Sequence, residues 1–237
     1  MRQRLLLLTT TFVIAICPAL CRAHYLWVIV DPTNPATANI YFEEGPGPGD
    51  GHYLPPIKAS NKTWVRTLED LEGSEVSVKE VATDKHKWLT APLSGAAPRS
   101  VEVYGQYGVY RYGKTDVLLH YYAKTLDLSE HEHLHELGKS DRMAVDLSPH
   151  DFGKRVTVTV RWKGKPVADR TVYIRGPGFR KNVKTDENGQ VTIEAEKAGR
   201  YTFRSYVELA EPGTHDGKAY SLIRHHGSLV MNLPLEK

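Results

Sequence analysis

Histidine is the residue type in this chain best suited to chemistry. There are eleven, and His24 follows a stretch that reads as a secretory leader. Arg2 and Arg4 precede a short apolar run over residues 5–16, Pro18 ends it, and Cys21-Arg22-Ala23 has the small-x-small form of a cleavage site. Cleavage after Ala23 makes His24 the first residue. Its free α-amino group and its imidazole Nδ1 then chelate one ion. The amine, with an ordinary pKa of about 7.7–8.0, must lose its proton to bind. Nitrogen donors of this kind suit Ni(II), Co(II) and Cu(II). Both cysteines, Cys17 and Cys21, lie in the leader, so the remaining ligands must be imidazoles. The first choices are His215 and His225 near the C-terminus. Next come His52, which closes a Gly/Pro-rich loop, and His120, within a hydrophobic run. On a strand, His225 and His226 point opposite ways and do not share an ion.

A second histidine group is denser. Ser129-Glu130-His131-Glu132-His133-Leu134-His135-Glu136 has the composition of a metal-binding tract. On a strand all three imidazoles share a face; on a helix only His131 and His135 do. A solvated acidic loop is the other reading. Enzyme signatures are missing: there is no G-x-S-x-G, no H-E-x-x-H and no Walker loop. Gly45-Pro46-Gly47-Pro48-Gly49 is too rich in proline, which lacks an N–H, to cradle phosphate. The expectation is a protein that is not an enzyme.

The elements that must position these groups are strands. Residues 25–30 form a first strand, stopped by Asp31-Pro32, and residues 38–42 a second. Residues 76–81, 100–104 and 117–124 have β character, the first two by alternation. No window of twelve or more residues carries a helical stripe; residues 126–137 come closest. From Arg155 onward short strands alternate with turns, among them the hairpin signal Asn188-Gly189, and a last strand covers residues 228–233. This predicts an all-β protein of two β-sandwich-like domains. Residues 1–23 are the leader, 24–148 an N-terminal β domain and 149–237 an Ig- or transthyretin-like sandwich with a return strand. Trp162, Val172, Ile193 and Phe203 are expected inside it.

Gly164-Lys165-Pro166-Val167, Thr185-Asp186-Glu187-Asn188-Gly189-Gln190 and Ala198-Gly199-Arg200-Tyr201 resemble the pattern of transthyretin-like and carboxypeptidase-regulatory-like sandwiches. Together with Ala23-His24-Tyr25-Leu26-Trp27, Tyr104-Gly105-Gln106-Tyr107-Gly108 and Tyr121-Tyr122-Ala123-Lys124, they resemble the bacterial exported family called domain of unknown function 4198. The resemblance implies export and a role in nickel or cobalt uptake. Of its residues, only His24 carries over.

Charge and hydropathy narrow the partners. The whole chain has 31 basic and 28 acidic groups. The leader takes three arginines and no acid, leaving 28 of each, so the basic balance gives no support for nucleic acid. No other stretch is long and apolar enough to span a membrane. The expected protein is periplasmic or extracellular. It captures divalent Ni, Co or Cu and hands it to an uptake transporter or outer-membrane receptor. A sandwich module for carbohydrate or cell-surface protein, and a copper enzyme with His24 in a histidine brace, are the alternatives.

Overall fold

The structure is a computed structural model and describes residues 24–93 and 96–235. The leader and its cleavage site lie outside the described residues. The elements in chain order are β1 (Tyr25–Val30), β2 (Thr37–Glu43), α1 (Leu54–Ser60), β3 (Lys62–Thr67), β4 (Ser74–Val76), β5 (Lys79–Ala82), β6 (Lys87–Pro92), β7 (Arg99–Tyr112), β8 (Thr115–Asp127), α2 (His133–Leu137), β9 (Val145–Phe152), β10 (Arg155–Trp162), β11 (Lys165–Pro166), β12 (Thr171–Gly176), β13 (Phe179–Lys184), β14 (Gln190–Glu194), β15 (Gly199–Leu209), β16 (Gly213–His215), β17 (Lys218–Tyr220) and β18 (Leu222–Leu233). The protein is all-β, as its alternating apolar residues require.

Three layers result. The central one is an eight-stranded sheet, ordered β13-β12-β15-β18-β8-β7-β3-β4. Its seam is the parallel pairing of β18 with β8, which aligns His225 with His120 and His226 with Tyr121. Alternation along these strands sends successive side chains to opposite faces. On one face Leu119, Tyr121 and Ala123 join Leu26, Val28, Ile40 and Phe42 of the β1-β2-β6-β5 sheet in a buried core. On the other, Leu229 and Met231 join Val145, Leu147, Val156 and Val158 of the sheet built on β9, β10 and β14. Two sandwiches therefore share one sheet. Residue 148 lies within β9, and strands from both halves of the chain build the central layer.

Val172, Ile193 and Phe203 are buried, while Trp162, at the end of β10, is half-buried against the same core. Asn188-Gly189 forms its turn, with Gly189 at φ 72° and its N–H donating to the Asp186 carbonyl at 3.0 Å. The flanking strands do not pair as a hairpin, because β13 joins β12 and β14 joins β10.

A buried polar joint holds β8, β9 and the α2 segment together. Lys124 and Asp146 are both fully buried, and the Lys124 ammonium lies 2.5 Å from Asp146 Oδ1. It also donates to the Gly138 carbonyl at 2.5 Å. Asp146 Oδ2 accepts from the Ser140 N–H and the Ser148 hydroxyl at 3.1 and 2.6 Å. Beside it, buried Glu102 accepts from Arg66 at 2.9 Å and from the Ser140 hydroxyl at 2.8 Å. Removing one partner of such a pair strands the other charge out of water. Asp146→Ala should therefore lower the unfolding free energy by about 3–5 kcal/mol, measured by urea denaturation. Lys184→Ala, which breaks the exposed pair with Asp169, should leave the midpoint essentially unchanged.

Candidate functional site

The pairing of β1 with β2 sets Tyr25 opposite Glu43. His24, one residue earlier, therefore lies beside the end of β2. Its Nε2 faces Glu43 Oε2 at 3.6 Å, with both side chains about four-fifths buried. The ring also touches Tyr53 and Phe42, at centroid distances of 4.5 and 6.0 Å. Phe42 is in turn packed edge-on against Tyr121 of the central sheet at 4.8 Å. His24 is thus part of the core's rim.

The Gly/Pro loop closes over Glu43. A Cβ on Gly49 would overlap the Glu43 carboxyl group, so the close approach needs glycine there. The Gly51 N–H donates to the same carboxylate. The Gly49 carbonyl accepts from the Lys87 N–H at 2.9 Å, which ties the loop to β6. The His52 N–H donates to Asp50 Oδ1 at 2.8 Å, and the His52 ring meets Tyr53 edge-on at 4.7 Å. Tyr53 therefore contacts both imidazoles. The result is an open cavity of about 1120 Å³, lined by His24, His52, Glu43, Glu44 and Asp50 and, among the described residues, by no lysine or arginine. Burial raises the Glu43 pKa, and the neighbouring His24 opposes that rise. A cavity with this lining favours cations.

His120, His225 and His215 gather elsewhere. Tyr121 faces β1, so His120 and its partner His225 point to the opposite face of the central sheet. Their rings stack at 4.7 Å and 14°. Tyr104 Oη lies 2.9 Å from His120 Nδ1, and Tyr122 Oη lies 3.4 Å from His225 Nδ1. Trp162 covers His225 at 4.7 Å. His215, on the β16–β17 hairpin, is near enough to depress the His120 pKa. The five histidines singled out from sequence thus fall into two groups, His24 with His52 and His120 with His225 and His215. As they stand, no three His, Cys, Asp or Glu side chains among the described residues converge to hold an ion. In the uncleaved chain the His24 nitrogen is a peptide amide and adds no donor.

Sequence reasoning passed over Glu43, Glu44, Asp50 and Tyr53. The available signal was a pair of acids and a third acid bracketing the Gly/Pro loop before His52. It also left His226 without a role. That ring is buried, stacks on Tyr121 at 4.8 Å and meets Tyr25 at 5.5 Å, and neither nitrogen has a hydrogen-bond partner among the described residues.

No protein-family model matches the chain. No curated protein matches it either. Among solved structures it is similar to the Bacteroides ovatus mixed-linkage glucan utilization locus protein SGBP-B in complex with a mixed-linkage heptasaccharide, at 12% identity and a TM-score of 0.21 over 82% of this chain and 42% of that one. It is also similar to the pullulanase of Anoxybacillus sp. LM18-11 complexed with maltotriose, at 9% identity and a TM-score of 0.21 over 78% of this chain and 24% of that one. The chain spans less than half the length of either, and likeness at this level carries nothing about the site.

Burial holds three histidines neutral. The pKa of His120 is lowered to about 4 by desolvation and then by His215. His225 is lowered to about 4 by desolvation, then by His120 and Lys163. His226 is lowered to about 3 by desolvation, then by Arg224, Arg204 and His225. Each folded value lies below the unfolded value of about 6.5. Between these limits the unfolded chain binds protons that the folded protein refuses, so their stabilising contribution is complete above about pH 6.5 and is lost as pH falls. With a chelator present, the thermal midpoint should decline as pH is lowered from about 6.5 to about 4. His226→Phe keeps the ring packing and should make the decline shallower. A flat wild-type profile would contradict this account.

Proposed function

We propose that this chain is an exported transition-metal-binding protein whose ion is held at His24 once residues 1–23 have been removed. The observation that carries the reading is the placement of His24 Nε2 against Glu43, in a cavity that also contains His52, Glu44 and Asp50. With Nε2 turned to a carboxylate, Nδ1 is the nitrogen left for an ion. It is also the one that closes a chelate ring with the new α-amino group. Glu43 then plays the part that carboxylates commonly play behind metal-bound histidines: it fixes the ring's orientation and raises its basicity. His52 is the imidazole best placed to complete the set, and Glu44 and Asp50 add negative charge.

Because His24 leads directly into a buried strand, its amine is fixed relative to the cavity, which lowers the entropy cost of binding. Nitrogen-rich ligands favour Cu(II) over Ni(II) and Co(II) in raw affinity, so selection among them falls to geometry. Affinity should fall on acidification, as amine and imidazoles take up protons. Capture for an uptake transporter or outer-membrane receptor is the role that the family resemblance supports. The protein serves as a carrier in this reading, not as a catalyst.

Titration of the processed protein with Cu(II), Ni(II) and Co(II) tests the proposal. One extra residue before His24 removes the amine ligand and should weaken binding about tenfold or more. Glu43→Gln should cost about 10–100-fold. Gly49→Ala, by pushing the Glu43 carboxylate aside, should act in the same direction. His120→Gln should change nothing. Equal affinity with and without the extra residue would overturn the reading. The half-buried rings of Trp162, Tyr104 and Tyr122 would then become the surface to test for carbohydrate.

A further inference from the structure

The tract that looked like a metal collector has a partner that the sequence hid. His131 precedes α2, and His135 lies one turn later within it. His150 comes from β9, against which α2 packs. The three imidazoles form a triangle, with ring centroids 5.3 Å apart for His131 and His135, 5.2 Å for His131 and His150, and 5.7 Å for His135 and His150. Three imidazoles bound to one tetrahedral ion at about 2.0–2.1 Å per nitrogen have centroids about 5 Å apart. The planes are tilted by 87°, 68° and 57°, and as they stand the nitrogens do not meet at one point, so a turn of the rings is needed to bring them together. The parallel His120 and His225 rings, by contrast, direct their nitrogens side by side.

The surroundings hold this triangle in place. Leu134 and Leu137 anchor α2 in the core. The carbonyls of Glu136 and Lys139 accept from Arg66 at 3.0 and 2.7 Å. The Gly138 carbonyl accepts from Lys124, whose partner Asp146 belongs to β9. The segment that carries His135 and the strand that carries His150 are therefore fixed to the same buried pair. Glu132 lies 3.9 Å from His135 Nε2, too far for a hydrogen bond, so it does not fix the ring. His133 is turned towards Glu130 instead, at 3.9 Å. His135 and His150 are exposed, so their rings can turn to bring nitrogens inward. The described residues contain no cysteine, which leaves borderline divalent ions as the fitting class.

We propose that His131, His135 and His150 form a second metal site, taking Zn(II) or Co(II) with three imidazoles and leaving one position open to water. It goes beyond the His24 site and needs neither leader removal nor the α-amino group. The test uses the mature chain carrying His24→Ala, so the two proposals fail separately. Equilibrium dialysis with Co(II) at neutral pH should show one bound ion with the visible absorption of tetrahedral cobalt. His150→Ala should weaken it about tenfold or more, and His86→Ala, in an exposed turn, should not. In histidine ring spectra of the same protein, Zn(II) should move the resonances of His131, His135 and His150 together and leave His86 in place. No ion bound in the His24→Ala protein, or binding indifferent to His150→Ala, would overturn the site.

Discussion

The contact between Lys124 and Asp146 is the constraint on which the most distant parts of this fold converge. Neither charge reaches water, so each survives only because the other is present and because Gly138, Ser140 and Ser148 satisfy the remaining donors and acceptors. Lys124 belongs to β8, at the seam of the central sheet. Asp146 belongs to β9, the strand that brings the second small sheet onto that seam. The joint therefore fixes where one sandwich meets the other. Together with Arg66, which donates to the Glu136 and Lys139 carbonyls, it also fixes the α2 segment.

From that seam the chemistry is distributed by strand alternation alone. Tyr121 and His226 face β1, and Tyr121 supports Phe42, on which His24 rests. His120 and His225 face the other way, towards Trp162. A shift of one residue in the pairing of β8 with β18 would turn one strand's side chains to the other face and separate His120 from His225. Separation of the histidines into distinct groups is thus a consequence of register. It gives the protein a carboxylate-rich cavity at one surface and an aromatic patch behind the sheet.

Much of this was legible before the structure. Residues 25–30 are a continuous apolar, β-prone run stopped by Asp31-Pro32, and they form β1. The strand at residues 117–124 is the middle of β8, and the turn at Asn188-Gly189 forms because glycine there takes φ 72°. What was not legible was pairing across distance. Nothing local tells β13 and β14 to join different sheets, or places His150 beside His135. Helix α1 was missed because it is one short element with Pro55 and Pro56 in its first turn, held by Leu54 and Ile57 in the core. Ile57 packs over Gly105, a contact that depends on the missing side chain there. For the candidate site, His24 and His52 were visible by type, but Glu43 could be recognised only once the glycine-rich loop was seen closing over it.

The central claim is that a metal ion is held by the amino terminus and imidazole of His24. Anomalous diffraction from crystals of the processed protein, soaked with Ni(II), addresses it most directly. The account predicts a peak within bonding distance of both the His24 amine and its Nδ1, with Nε2 still turned to Glu43. A peak absent from this cavity in fully loaded crystals would contradict it.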